Sequence, residues 1–349
     1  MLRLFWLITI CLSTLVSMGQ KDTSNSNSEI SLYKSACKLI DSSKYKEAIP
    51  VLKKAIKIKG DYIEAYNKMA FAKIKTKDFK GAEKDLQSAL KMNPDNFEAE
   101  KMLGILFYET KKYKEAKAIL DSAIVLNNED PEIYYYQAKL MFEGKNYKPA
   151  LDVCARALDL RAKYPEVIFL KGDIRFAMKD YNYAIKEINE AMAMLDADKP
   201  NYEAYKTRAK ARFEAKDYKN AVNDWNVYID AFPDEEEALV ARAACKIEAA
   251  DNTGAIVDLD AAIKINPKNP VSYNYRGVAK GESRQFVDAL KDFDYAIKLK
   301  FDYAAAFVNR AAVKFASKDK RGACEDLNKA DSLGDEMAIQ LIETYCKSK

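Results

Sequence analysis

Small and apolar residues return along this chain with a fixed period. Alanine stands at 48, 82, 116, 150, 184, 221, 255, 289 and 323, every step being 34 residues except one of 37. Counting each repeat from residue 29 makes that alanine position 20. Position 8 is then Ala36, Ala70, Gly104, Ala138, Gly172, Ala209, Ala243, Gly277 and Ala311. Position 24 is large and apolar or Cys throughout, from Leu52 and Leu86 to Phe293 and Leu327. Position 27 is Ala in every repeat but the sixth, which has Tyr228. Positions 20, 24, 27 and 28 follow the i, i+4, i+7, i+8 spacing of one apolar helix face, and positions 4, 8 and 11 form a noisier stripe before them. A short polar turn separates the stripes, as at Thr76-Lys77-Asp78-Phe79, and Pro94, Pro233 and Pro267 close repeats where no helix can continue. The pattern predicts a helix, a turn and a second helix, nine times over. Small residues at positions 8 and 20 let the two backbones approach closely.

This pattern resembles the tetratricopeptide repeat family, whose 34-residue signature runs from an aromatic and Leu-Gly through Ala and an aromatic to Pro. The resemblance covers residues 29 to about 337. It departs from the signature where Lys171, Arg208, Arg242, Arg276 and Arg310 replace its Leu, and where most closing prolines are missing. The expected fold class is all-α, an α-solenoid of stacked helix-turn-helix units with nearest-neighbour contacts and a C-terminal capping helix. The expected organisation is a signal peptide at 1–19 and a Ser/Asn-rich disordered spacer at 20–28. Repeats one to five fill 29–196, an insertion at 197–201 forms a seam, repeats six to nine fill 202–337, and the cap is 338–349.

The chain starts with Arg3, an apolar run from Leu4 to Met18, and Ser17-Met18-Gly19 before Gln20, the pattern of a secretory signal peptide. The alternative is a retained N-terminal anchor, although the run is short of the roughly 20 residues of a comfortable span. A lipoprotein reading of Cys11 fails because Ile10 precedes it. Export, to a periplasmic or secreted location, makes the cysteines informative. Cys154 sits at the apolar position 24 and reads as core. Cys37 and Cys245 are six repeats apart and cannot meet. Cys324 and Cys346 bracket the junction of the last repeat with the cap, so a disulfide there would pin it. Lys and Arg number 57 against 53 Asp and Glu, a net charge of +4 with both signs interleaved, which lends nucleic-acid binding no support.

The chain contains no histidine, which removes His-dependent catalysis and most metal sites, and it has no Gly-rich phosphate loop. Signal segment, spacer, repeats and cap use up the sequence. Neither an enzyme nor a bound cofactor or metal is therefore expected. Charges at positions 7 and 23 occur together: Arg208 with Asp224, Arg242 with Asp258, Arg276 with Asp292, Arg310 with Asp326, and Lys171 with Glu187. Repeats one, three and four carry neither charge, and repeat two breaks the rule with Met69 and Asp85. The pattern reads as a ladder of partly buried ion pairs; the alternative is a charged ligand track.

By family geometry, positions 2, 5, 9 and 12 of each first helix face a concave peptide-binding surface. The candidate contacts are Tyr33, Asn67, Phe71, Lys101, Tyr135, Lys139, Phe169, Lys206, Lys210 and Asn274. Aromatics and lysines make repeats one to five the better docking half. The Lys and Asn arrangement by which some family members clamp the acidic tail of heat-shock chaperones is absent, with only Asn67 and Lys206 echoing it. The expected function is that of an exported, non-catalytic adaptor for peptide segments or protein partners; the alternative is a periplasmic, chaperone-like holder of unfolded clients. Membrane association is expected only if the N-terminal segment is uncleaved.

Overall fold

The structure, a computed structural model, describes residues 28–196 and 200–347. The expected signal segment lies outside the described residues, as do positions 197–199 of the insertion and all of the expected spacer except Ser28. Every element among the described residues is helical. The chain divides into two compact blocks, one ending at Ala162 and the other starting at Lys163. The first block holds α1 (Glu29–Asp41) and α2 (Tyr45–Ile58), α3 (Ile63–Lys75) and α4 (Phe79–Met92), α5 (Phe97–Glu109) and α6 (Tyr113–Leu126), and α7 (Pro131–Glu143) and α8 (Tyr147–Leu160). The second holds α9 (Pro165–Ala177) and α10 (Tyr181–Met192), α11 (Tyr202–Glu214) and α12 (Tyr218–Ala231), and α13 (Glu236–Glu248) and α14 (Asn252–Ile265). It continues with α15 (Pro270–Glu282) and α16 (Phe286–Leu299), α17 (Ala304–Ala316) and α18 (Lys320–Ser332), and a terminal α19 (Glu336–Leu341). Every first helix therefore starts at position 1 of its repeat and every second helix at position 17.

The recurrent small and apolar positions are the core. All nine alanines at position 20 are fully buried, and the position 24 side chains are at most 2% exposed. Where position 8 is Gly, the position 24 side chain occupies the space a Cβ would need: one added at Gly277 would lie 2.8 Å from Cε1 of Phe293. The sixth repeat's exception has its own partners. Tyr228 is buried, stacks 5.0 Å from Phe232, and donates its hydroxyl to Glu235 at 2.9 Å.

Each turn between paired helices has one form. Position 15 takes a left-handed φ in every repeat, from 57° at Ser43 to 66° at Lys318, and it is never Gly. The next residue then folds its N–H back onto the preceding helix, as Asp78 does to the Lys73 carbonyl at 2.9 Å. Two backbone bonds thereby close each first helix.

The boundary after Ala162 falls between repeats four and five, one repeat before the seam expected at 197–201. Across that insertion Arg208 donates to Asn189 at 2.6 Å, joining repeats five and six within the second block. At the C-terminus α19 starts at Glu336, two residues before the expected cap, because Asp335 caps it by accepting from the Ala338 N–H at 3.0 Å. A π-helical turn follows over Ile342–Cys346. Leu341, Ile342 and Cys346 pack on the Phe307–Leu327 core, and Cys346 is bonded to Cys324 with their Cα atoms 5.8 Å apart.

Candidate functional site

The charged positions of the second block face inward between paired helices. Arg276 grips Asp292 with two parallel bonds, Nε to Oδ2 at 3.0 Å and Nη2 to Oδ1 at 2.6 Å. Arg208–Asp224, Arg242–Asp258 and Arg310–Asp326 repeat this geometry, with shorter bonds of 2.6, 2.7 and 2.6 Å. The four carboxylates are 3–5% exposed. A second cation from position 11 meets each of them: Arg212 at 2.7 Å, Lys246 at 2.8 Å, Lys280 at 2.7 Å and Lys314 at 2.8 Å. The remaining guanidinium nitrogen of each Arg reaches position 25 of the preceding repeat, as Arg276 does to Asp260 at 2.7 Å. Each carboxylate thus sits between two cations with no open side for a ligand.

Position 11 also accounts for repeat two, where Lys73 meets Asp85 at 2.6 Å although position 7 is Met69. The signal was present in the sequence. Position 11 is basic wherever position 23 is acidic, and it is Leu39, Phe107 and Met141 in the repeats where position 23 is apolar.

The first block carries open concave surface instead. A groove of about 750 Å³ runs along the first helices of its repeats, walled by Tyr33, Phe71, Ile74, Phe79, Met102, Ile105 and Tyr136. Asn67 and Lys101 also line it, so four of the ten expected contacts come together here. Lys68, Lys75, Lys77, Glu64, Glu98, Glu109 and Glu132 supply charge around the apolar floor.

Position 5 also makes contacts between repeats. It reaches the residue that caps the first helix of the next repeat. The Tyr33 ring stacks 5.1 Å from Tyr62, Asn67 donates to Asn96 at 3.2 Å, Lys101 pairs with Asp130 at 2.8 Å, and Lys206 lies 3.7 Å from Glu235. Burial depresses the Lys101 ammonium most, but Asp130, Glu98 and Glu132 together outweigh it and the net shift is upward. The hydrogen bond to Tyr228 leads an upward shift at Lys206. Phe169 is 9% exposed, and Asn274 is 5% exposed and accepts from Asn309 at 3.0 Å. Position 5 side chains therefore join neighbouring repeats, and three of them, Tyr33, Asn67 and Lys101, line the groove as well.

Position 9 is mixed in exposure. Phe71 lines the groove, and Lys210 is exposed. Lys139 lies 4.4 Å from the ring centre of Tyr108, 5.3 Å from Tyr135 and 5.1 Å from Tyr136. Burial among these rings pulls its ammonium down, against the carboxylates of Glu109 and Glu143. Asp173, at position 9 of repeat five, is pushed up to about 6 by burial; a hydrogen bond from Thr207 opposes the shift and Glu203 adds to it. Cys37 is half-buried, while Cys154 and Cys245 are buried.

The family model described as "Tetratricopeptide repeat" matches residues 73–140. No curated protein matches the sequence. A solved structure from work on Pseudomonas aeruginosa pilF is similar at 14% identity and TM-score 0.54, over 61% of this chain and 96% of that one. A chain from the APC/C hetero-tetramer Cut9-Hcn1 is similar at 12% identity and TM-score 0.52, over 98% of this chain and 83% of that one. At these identities the likeness is one of fold.

Proposed function

We propose that this chain, a member of the tetratricopeptide-repeat family, is a non-catalytic scaffold that holds a peptide segment of a partner protein in the first-block groove. A tetratricopeptide-repeat fold is itself a platform for protein–protein interaction. The observation that carries the assignment to this groove is its composition: an apolar floor of about 750 Å³ edged by charged side chains, with the shape and polarity of a peptide site. Export into an envelope or extracellular assembly is the second part of the reading, supported by the Arg3 start, the Leu4–Met18 run and the small residues before Gln20.

A photo-reactive residue at Phe71, introduced into the chain in its native compartment, tests the docking site. A scaffold yields one stoichiometric adduct that is lost when the photo-reactive residue is moved to the buried Leu86. Adducts with many unrelated proteins would instead identify a holder of unfolded clients. Export is tested by the N-terminus of the mature protein, expected at Gln20; an uncleaved N-terminus would make the segment an anchor.

A further inference from the structure

Beside the groove lies a second cleft, of about 590 Å³, between the turns of repeats one and two. The two share Lys75 and Lys77, and Lys44 and Lys46 complete the cleft wall with Glu47 as its one acid. From these observations we infer that the groove's partner is an acidic peptide segment with an aromatic or long aliphatic anchor. The anchor enters the apolar groove, and the flanking carboxylates sit on the lysine mouth. This deepens, and rests on, the reading of the groove as the docking site.

Three observations carry the inference. Among the described residues, none of the four lysines has a carboxylate at ion-pair distance, so their charge is open to a partner. Two of them also oppose their own helix. Lys44 is the N-cap of α2, without a side-chain cap bond, and Lys46 is in its first turn, where the helix dipole favours anions. Asp78 shows the ordinary solution at the equivalent site of repeat two, accepting from the Gly81 N–H at 3.0 Å. A mouth of four lysines against one acid, Glu47, beside a helix N-terminus is complementary to carboxylates from outside. Finally, the Lys75 ammonium lies 5.3 Å from the Phe71 ring centre, so cation and apolar floor form one continuous surface.

The far edge of the groove argues against a continuous polyanion. Glu64, Glu98 and Glu132 stand at the starts of the first helices. A nucleic-acid backbone crossing the groove would meet them, while a peptide can confine its acids to the mouth.

The test is fluorescence anisotropy of the whole chain with a labelled peptide carrying one phenylalanine flanked by glutamates, and with its glutamine counterpart. Exposed ion pairs are individually weak, so the contributions of the lysines together should favour the glutamate probe by about tenfold at low salt. The gap should close as salt is added. Lys75→Glu with Lys77→Glu, both exposed positions, should reverse the preference toward a lysine-flanked probe. Phe71→Ala should weaken both original probes equally. Equal binding of glutamate and glutamine probes, with both weakened by Phe71→Ala, would overturn the acidic partner and leave the groove standing. No binding of either probe, or binding indifferent to Phe71→Ala, would overturn both. Anionic vesicles or oligothymidine that outcompete the glutamate probe, and lose that advantage in the lysine variant, would also overturn the peptide.

Discussion

Asp292 shows what a buried charge demands. Its two oxygens are taken by Arg276 and Lys280 together, and it is 5% exposed. Asp292→Ala leaves both cations facing an apolar gap and is expected to cost about 3–5 kcal/mol in urea unfolding. Arg276→Ala should cost clearly less, because Lys280 still neutralises the carboxylate; equal losses would mean that the lysine does not contribute. Position 11 also decides how the site can be made apolar. Arg276→Leu with Asp292→Val strands Lys280, so Lys280→Phe must be added to imitate Leu103, Ile119 and Phe107 of repeat three. Among the described residues, Asp173 has no such cation beside it, only a hydrogen bond from Thr207 and the charge of Glu203, and burial dominates. Its pKa of about 6, against an ordinary 3.8, means that the folded state holds the proton more tightly. The associated stability is complete below pH 3.8 and is lost as pH rises through about 6, to at most about 3 kcal/mol. Asp173→Asn should therefore stabilise the chain at pH 7 and leave it unchanged at pH 3.5. A gain of equal size at both pH values would show that ionisation is not the cause.

At the scale of the helix pair, much was legible before any coordinate. The repeat period and the apolar stripes gave a helix pair per repeat with positions 8, 20, 24 and 27 in the core, while the helix starts at positions 1 and 17 came from the structure. The turn was legible as a short polar stretch, but its left-handed residue was not, because no glycine marks it. Lys77, Lys111, Lys145, Lys179, Lys216 and Lys318 adopt φ values of 58–66° instead. A side chain there costs about 1–2 kcal/mol, part of which glycine returns as chain entropy. Lys216→Gly is thus expected to raise stability by about 0.5–1 kcal/mol, read as a shifted urea midpoint with unchanged slope. The opposite sign is expected at Gly277, where an alanine Cβ would press on the Phe293 ring. Overpacking of this kind costs about 1–3 kcal/mol. The role of position 5 was hidden for another reason: its partner, the cap of the next helix, is 29 residues away at Asn67–Asn96 and Lys101–Asp130. The basic mouth was hidden likewise, since charges interleaved along the chain separate only once the turns stand side by side.

At the scale of the whole molecule, each block is a stack in which a helix pair meets only its neighbours, so a local loss should stay local. The terminal disulfide gives a clean case. Cys324 and Cys346 are 22 residues apart and tie the last helical turn to α18. On the chain-entropy account, closing a loop of that size contributes about 3 kcal/mol. The rest of the cap is small: Ala338 is its one buried residue, and Met337 and Ile339 are 61% and 49% exposed. Packing alone therefore holds α19 weakly, and the covalent link dominates. Replacing both cysteines with serine should strip hydrogen-exchange protection from 336–346 first. Repeat nine should follow, since its Phe307–Leu327 core packs on the cap residues Leu341 and Ile342. Repeats one to four, in the other block, should keep their protection unchanged. Exchange that accelerates evenly along all the repeats would mean that the array unfolds as one cooperative unit, and the nearest-neighbour account would have to be given up. Exchange unchanged even in 336–346 would show that packing suffices and that the disulfide adds nothing to the cap.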